Sequence, residues 1–318
     1  MKTSIYILTL TLISLMSFSL SFFIFYKLNL ESKDLIPQNI SERPALRVNN
    51  VTSYSLDSLQ FYPNMRFNHN LITYKVEDSC PLEKKEKMVK AFDRVENELD
   101  SIVRFKRVEA EPDILITCNE TTETKREEYF VAGEGGAESV VNTSLFYIIE
   151  RGKVLLYYKE QKSCITYHVE LHELLHALGF KHSKNKYSIM YPTTECYQVF
   201  TQDMIDELER LYSIEPLPEI YVSSASASKH GMYLDFEIEI KNKGLVKTED
   251  VNLTLFSGTA TIEKFKIGDL DYGEGKTLTI KNLKLPLSML ELEEINFLAT
   301  SPAREFYQDN NHYTLVVA

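Results

Sequence analysis

The apolar and polar positions of the chain fall into stretches of distinct period. Residues 3–26 carry no charged side chain and are mostly apolar, with Lys2 before them and Lys27 after. A helix rises about 1.5 Å per residue, so about 20 apolar residues cross a bilayer core, and this run predicts an N-terminal transmembrane helix. An uncleaved signal-anchor fits its length. A signal peptide cleaved near Ser19 or Ser21 is the alternative, although Phe22, Phe23, Ile24 and Phe25 continue the run past both. Segment 1–27 predicts export in either form, and residues 28–62, polar and aperiodic, predict a stalk or linker.

Beyond Tyr62 the pattern tightens. Residues 71–76 alternate as a strand, and from Pro81 onward Met88, Ala91, Phe92, Val95, Leu99 and Ile102 return at helical spacing. Residues 114–117 read as another strand, so strand, helix and strand predict a crossover between parallel strands. Gly133-Glu134-Gly135-Gly136 lacks the helix and Gly-Lys-Ser/Thr of a phosphate cradle, and a turn leading into strands around Val140 and Leu155 is expected. A helix is expected over 201–212, ended by Glu215-Pro216-Leu217-Pro218. Short alternating strands follow at 234–240, 251–256, 277–280, 295–299 and 313–317, punctuated by Asn242-Lys243-Gly244 and Asp309-Asn310-Asn311. About a hundred residues of this kind predict a β-sandwich.

A length of 318 residues, 44% of them apolar, allows two cored domains and a flank. With 46 acidic against 35 basic residues and a formal net charge of -11, there is no basic stripe to neutralise phosphates, which argues against a nucleic-acid partner. The cysteines are Cys80, Cys118, Cys164 and Cys196; none forms a CxxC pair, which argues against a cysteine-built zinc site. Cys80 just after one strand and Cys118 at the end of the next would share a sheet edge, favouring a Cys80–Cys118 bridge and leaving Cys164 to Cys196. Other pairings and reduced thiols stay open. Sequons at Asn39, Asn50, Asn119, Asn142 and Asn252 fit an external location.

The chemistry concentrates in His172-Glu173-Leu174-Leu175-His176-Ala177-Leu178-Gly179-Phe180-Lys181-His182. Residues i and i+4 of a helix share a face, so His172 and His176 direct two imidazoles at one point. Leu171, Leu174, Leu175 and Leu178 point elsewhere and anchor the helix. Gly179 tolerates a left-handed φ, letting the chain turn so that His182 supplies a third ligand. Three neutral imidazoles leave one tetrahedral position of a single catalytic Zn²⁺ open. Glu173, beside them, is placed as general base and then acid. His168, one turn earlier, is expected to start the helix or support the site rather than ligate. His69, His230 and His312 have no partner spacing and read as surface residues.

This segment resembles the metzincin zinc metalloproteases, whose signature is HExxHxxGxxH followed by a methionine turn. Ser188-Ile189-Met190-Tyr191-Pro192 matches that turn, and the short gap, Ser183 and Pro192 are closest to the matrixin subgroup. The resemblance covers roughly residues 61–212. It implies Met190 as an apolar floor under the metal. Tyr191, which follows it, reads as a wall of the substrate cleft, with donation to the oxyanion as the alternative. No cysteine in the stalk could latch the zinc, and the paired aspartates and glycines of calcium loops are not evident, which leaves structural Ca²⁺ open. The turns of the C-terminal region resemble CARDB-like, immunoglobulin-type domains of prokaryotic surface proteins.

The expected architecture is an N-terminal anchor or signal (1–27), a stalk (28–62), an α/β (α+β) metzincin-like catalytic domain with a twisted mixed sheet and active-site helix (63–214), and a CARDB-like β-sandwich (219–318). The expected function is zinc-dependent hydrolysis of internal peptide bonds in extracytoplasmic polypeptides, with substrate paired along the strand near 138–141. The chain would sit at the cell membrane as a single-pass protein, or be secreted if residues 1–27 are removed. The rival is a surface adhesion protein in which the sandwich binds a partner and the zinc module is a scaffold.

Overall fold

The computed structural model describes residues 58–120, 132–158, 166–287 and 294–316. The N-terminal apolar run, most of the stalk and Cys164 lie outside them. Among the described residues no helix is long and apolar enough to cross a membrane.

The first domain runs β1 (Met65–Phe67), β2 (Leu71–Val76), α1 (Leu82–Glu98), β3 (Arg104–Arg107), β4 (Ile114–Asn119), β5 (Gly133–Asn142), β6 (Tyr147–Tyr157), α2 (His168–Ala177) and α3 (Gln202–Tyr212). One mixed sheet of order β1-β6-β4-β2-β3 also carries β5 on β6. Its neighbours are parallel except β5, which lies antiparallel to β6. The expected crossover is corrected in one respect: α1 leads first to β3, beside β2, and only then does the chain reach β4 on the other side of β2. Arg-Phe-Lys-Arg is too short and too charged to alternate, as befits an outermost strand that must not recruit another chain.

Helix α1 buries Met88, Ala91, Phe92 and Val95 in the core that also receives Leu171, Leu174, Leu175 and Leu178. Cys80 and Cys118 are disulfide-bonded, with Cα atoms 5.0 Å apart at a sequence separation of 38. Cys196 is disulfide-bonded as well. Arg66 is fully buried and donates to the carbonyls of Phe67, Leu211 and Ile214, so it closes the last turn of α3. Its guanidinium lies 4.5 Å from the centre of the Tyr212 ring, and burial lowers its pKa to about 10, leaving it charged at neutral pH.

The second domain stacks a four-stranded sheet, β10-β9-β12-β13, on a three-stranded one, β11-β8-β7. These are β7 (Ile220–His230), β8 (Tyr233–Asn242), β9 (Thr248–Ser257), β10 (Ala260–Leu270), β11 (Gly275–Lys284), β12 (Glu294–Thr300) and β13 (His312–Val316). All pairs are antiparallel, and a shared core of residues such as Phe236, Ile238, Leu253, Leu255 and Phe297 makes the pair a β-sandwich. Strands β7 and β10 are not visible in the alternation of the sequence. The first turns only the small Ala225 and Ala227 inward over its second half. The second changes register between Thr261 and Glu263 and again between Lys266 and Gly268, which breaks the period of two. The two domains touch through a small cluster of Phe146, Ile148 and Leu245, beside a hydrogen bond of 2.8 Å from Thr143 Oγ1 to the Lys243 carbonyl.

Candidate metal centre

Helix α2 is buried on nearly every side. Its leucines enter the core, while His172, Glu173 and His176 are buried too, beneath the turn that follows and under β5. The helix ends as the sequence predicts: Gly179 adopts φ +96°, its N–H donates to the His176 carbonyl, and the Phe180 N–H donates to the Leu175 carbonyl. This pairing closes the last turn. A Cβ on Gly179 would stand 2.9 Å from Met65 Cγ, so packing as well as φ demands glycine.

The turn brings the third histidine back. The Nε2 atoms of His172 and His176 are 3.0 Å apart, those of His176 and His182 3.1 Å, and those of His172 and His182 3.3 Å. Zinc–nitrogen bonds of about 2.0–2.1 Å in a tetrahedron place neighbouring nitrogens about 3.3 Å apart, close to this triangle. Proton placement points the same way. His172 Nδ1 lies 2.6 Å from the Ile189 carbonyl and His176 Nδ1 2.8 Å from the Phe180 carbonyl. A carbonyl only accepts, so each Nδ1 carries the proton and each Nε2 presents a lone pair. One hydrogen on His182 could serve one contact at most, and the remaining lone pairs face each other without a donor. A cation at their meeting point resolves this, and His172, His176 and His182 are the one cluster among the described residues whose ligand atoms all lie within 4.8 Å of one another. Burial, aided by the neighbouring imidazoles, lowers the pKa of His172 to about 4 and of His176 to about 3, and burial lowers that of His182. The imidazoles are therefore neutral at neutral pH, the state in which they ligate.

Glu173 lies outside the ligand triangle. Its carboxylate accepts the Gly135 N–H, and burial, then the nearby Glu134 and Glu170 charges, raise its pKa to about 8. Gly133 and Gly135 are thus not in a turn, as expected from sequence, but inside β5. The strand crosses the helix so closely that a Cβ on Gly133 would meet Glu173 Cγ at 2.6 Å, and one on Gly135 the Glu173 carbonyl oxygen at 2.2 Å. A buried ion pair of 2.8 Å between Lys84 of α1 and Glu170 ties the two helices together.

Met190 is buried; its carbonyl accepts the Ser183 N–H at 2.7 Å, and it lines the same cavity as His182. Tyr191 is half-buried and Pro192 exposed. His168 starts α2 and its Nε2 lies 3.0 Å from the Gln198 carbonyl, away from the cluster. His69, His230 and His312 each contact a side chain, Asp113, Asn282 and Asn296 respectively, and none joins the cluster. Sequence reasoning passed over Gly135, the Lys84–Glu170 pair and the carbonyls of Ile189 and Phe180. Carbonyls have no sequence signature, whereas glycines spaced by two within an apolar-flanked stretch could have signalled a strand pressed on a neighbour.

The profile of the matrixin family of peptidases matches residues 66–213. No curated protein shows significant similarity to the chain. Among solved structures, the chain is similar to the CARDB domain of a Pyrococcus furiosus protein, in complex with di-metal ions, at 16% identity and a TM-score of 0.26 over 32% of this chain and 90% of that one. Residues 66–213 form a domain like that of the matrixin peptidases, and a β-sandwich follows it.

Proposed function

We propose that this chain is a zinc-dependent endopeptidase that cleaves internal peptide bonds of polypeptides outside the cytoplasm, with residues 63–214 as the catalytic domain and 219–318 as the accompanying sandwich. The observation that carries the reading is the triangle of unprotonated Nε2 atoms with a buried carboxylate on the same helix. His172, His176 and His182 would hold the ion. A zinc ion there supplies Lewis acidity, polarising a carbonyl and lowering the pKa of a water to about 7. Glu173 takes the proton of the attacking water and returns it to the leaving amine, with Gly135 N–H fixing the carboxylate between the two transfers. Met190 packs beneath the site and Tyr191 stands at its margin. Strand β5 is paired only to β6 among the described strands, so its other edge can add an extended substrate by main-chain bonds. Export and membrane attachment rest on residues 1–27.

Substituting Glu173→Ala tests the role. Bound zinc, measured per mole of protein, should stay at the parent level while cleavage of an end-blocked peptide library falls by about 10²–10⁴-fold. Parent-level cleavage by this variant would remove Glu173 from the mechanism, whereas a zinc-loaded parent that cleaves no peptide would leave the sandwich-based adhesion reading. Cleavage confined to peptides with free amino termini would replace the endopeptidase with an aminopeptidase.

A further inference from the structure

Residues 58–62 belong to the stretch that the sequence presents as the end of a stalk, yet they are built into the metal centre. The Phe61 N–H donates to the Gly179 carbonyl at 2.9 Å, and the Lys181 N–H donates to the Leu59 carbonyl at 3.0 Å. Gln60 and Phe180 face each other as an antiparallel bridge. The segment therefore pairs with Gly179, Phe180 and Lys181, the three residues before His182. The middle one, Phe180, offers the carbonyl that orients His176.

Side chains lock this strip from both ends. Gln60 is buried and its amide binds the main chain of Met65 twice, accepting from the N–H at 2.9 Å and donating to the carbonyl at 2.6 Å. Met65 is the residue that fills the space left by the missing Cβ of Gly179. Phe61 lays its ring on the His176 imidazole, centroids 5.9 Å apart, although about half of its surface (51%) is exposed. Ser58 and Leu59 line, with His182 and Met190, one cavity of about 220 Å³. An isolated tripeptide pairing would fray in water, since the entropy lost on ordering its residues outweighs a few main-chain hydrogen bonds. Here Gln60 and Phe61 hold it in place.

We propose that residues 58–62 are a positioning strap of the metal centre, on which the metal affinity of His176 and His182 depends. The proposal rests on the reading of the three histidines as zinc ligands. The strap acts on His176 by holding its carbonyl partner and on His182 by holding the turn before it. Loosening of an orienting partner of a metal ligand weakens metal binding by about 10–100-fold.

The test uses the full-length chain and four substitutions. Phe61→Pro removes both the N–H donor and the ring, Phe61→Ala the ring alone, Gln60→Ala the lock on Met65, and Phe61→Tyr keeps ring and donor. Zinc affinity is measured by competition with a chromophoric chelator, and ligand geometry by the visible spectrum of the cobalt-substituted protein. Phe61→Pro should weaken zinc by about tenfold or more and alter the cobalt bands, with Gln60→Ala and Phe61→Ala following by smaller factors and Phe61→Tyr within about twofold of the parent. Asn242→Ala, a destabilising change in the sandwich, should leave zinc affinity unmoved. Parent affinity within about twofold in both Phe61→Ala and Gln60→Ala would overturn the strap while leaving the zinc reading intact. A parent chain that takes up no zinc would instead refute the histidine site itself.

Discussion

Buried polar side chains are handled differently in the two domains. In the sandwich, Asn242 is buried and its amide is fully used: Oδ1 accepts from the N–H groups of Glu219 and Gly244, and Nδ2 donates to the carbonyls of Val246 and Leu270. Glu219 accepts from the Tyr307 N–H and Asn310 Nδ2, and Glu305 from the Ile220 N–H, Asn311 Nδ2 and Ser301 Oγ. Among the described residues, only Thr248 Oγ1 and the amide oxygens of Asn310 and Asn311 lack partners among buried side-chain atoms. The polarity there closes on the chain itself and pins turns to strands. In the first domain, His172 and His176 are satisfied on one nitrogen and left open on the other, and the open nitrogens converge. Both patterns carry the cost of burying polar groups, but only the second is incomplete without a ligand.

The comparison breaks most sharply at the histidines. His176→Ala should abolish zinc retention and cleavage together while the sandwich keeps its fold, checked by metal analysis beside the far-ultraviolet spectrum. Next is the bridge. Replacing Cys80 and Cys118 by serine frees a loop of 38 residues, which corresponds to about 4 kcal/mol in chain entropy and should appear as a lower denaturation midpoint of the first domain. Asn242→Ala leaves main-chain groups around the sandwich turn unpaired and should cost about 1–3 kcal/mol by denaturant titration, with zinc content and cleavage unchanged. Loss of zinc in that variant would mean that the two networks are one.

The smallest effect is the pH dependence of the metal-free protein. His172 and His176 are held at about 4 and 3, below the ordinary 6.5, because burial disfavours their charged forms. The unfolded state then binds more protons as pH falls, so this stability is fully present above about 6.5 and drains away toward pH 4 and 3. Glu173 has the opposite sign: raised from 4.5 to about 8, its contribution is whole below 4.5 and is lost as pH rises through 8. Melting temperatures of the chelator-treated protein should fall on both limbs. Glu173→Gln should flatten the alkaline limb, and replacing His172 and His176 by asparagine the acid one; an unchanged profile in both would contradict the burial of these groups.

Much of this was legible in the residues. His172, Glu173, His176, Gly179 and His182 lie at spacings that a helix and a left-handed turn convert into a ligand triangle with little freedom, and the periods of two and 3.6 marked β2, α1, α3 and most strands of the sandwich. Elements whose stability comes from neighbours were hidden. Strand β5 looked like a turn because its glycines answer to the helix lying against them, and residues 58–62 looked like linker because their partners lie more than a hundred positions away.

The sequence by itself determined which imidazoles converge, since local helix geometry places i and i+4 together whatever surrounds them and Gly179 turns the chain back toward them. Tertiary structure alone decided what holds those side chains still. The Ile189 and Phe180 carbonyls, the Gly135 N–H and the strap at Phe61 are main-chain groups or distant contacts. Every residue type offers the same main-chain atoms, and only folding brings particular ones within reach.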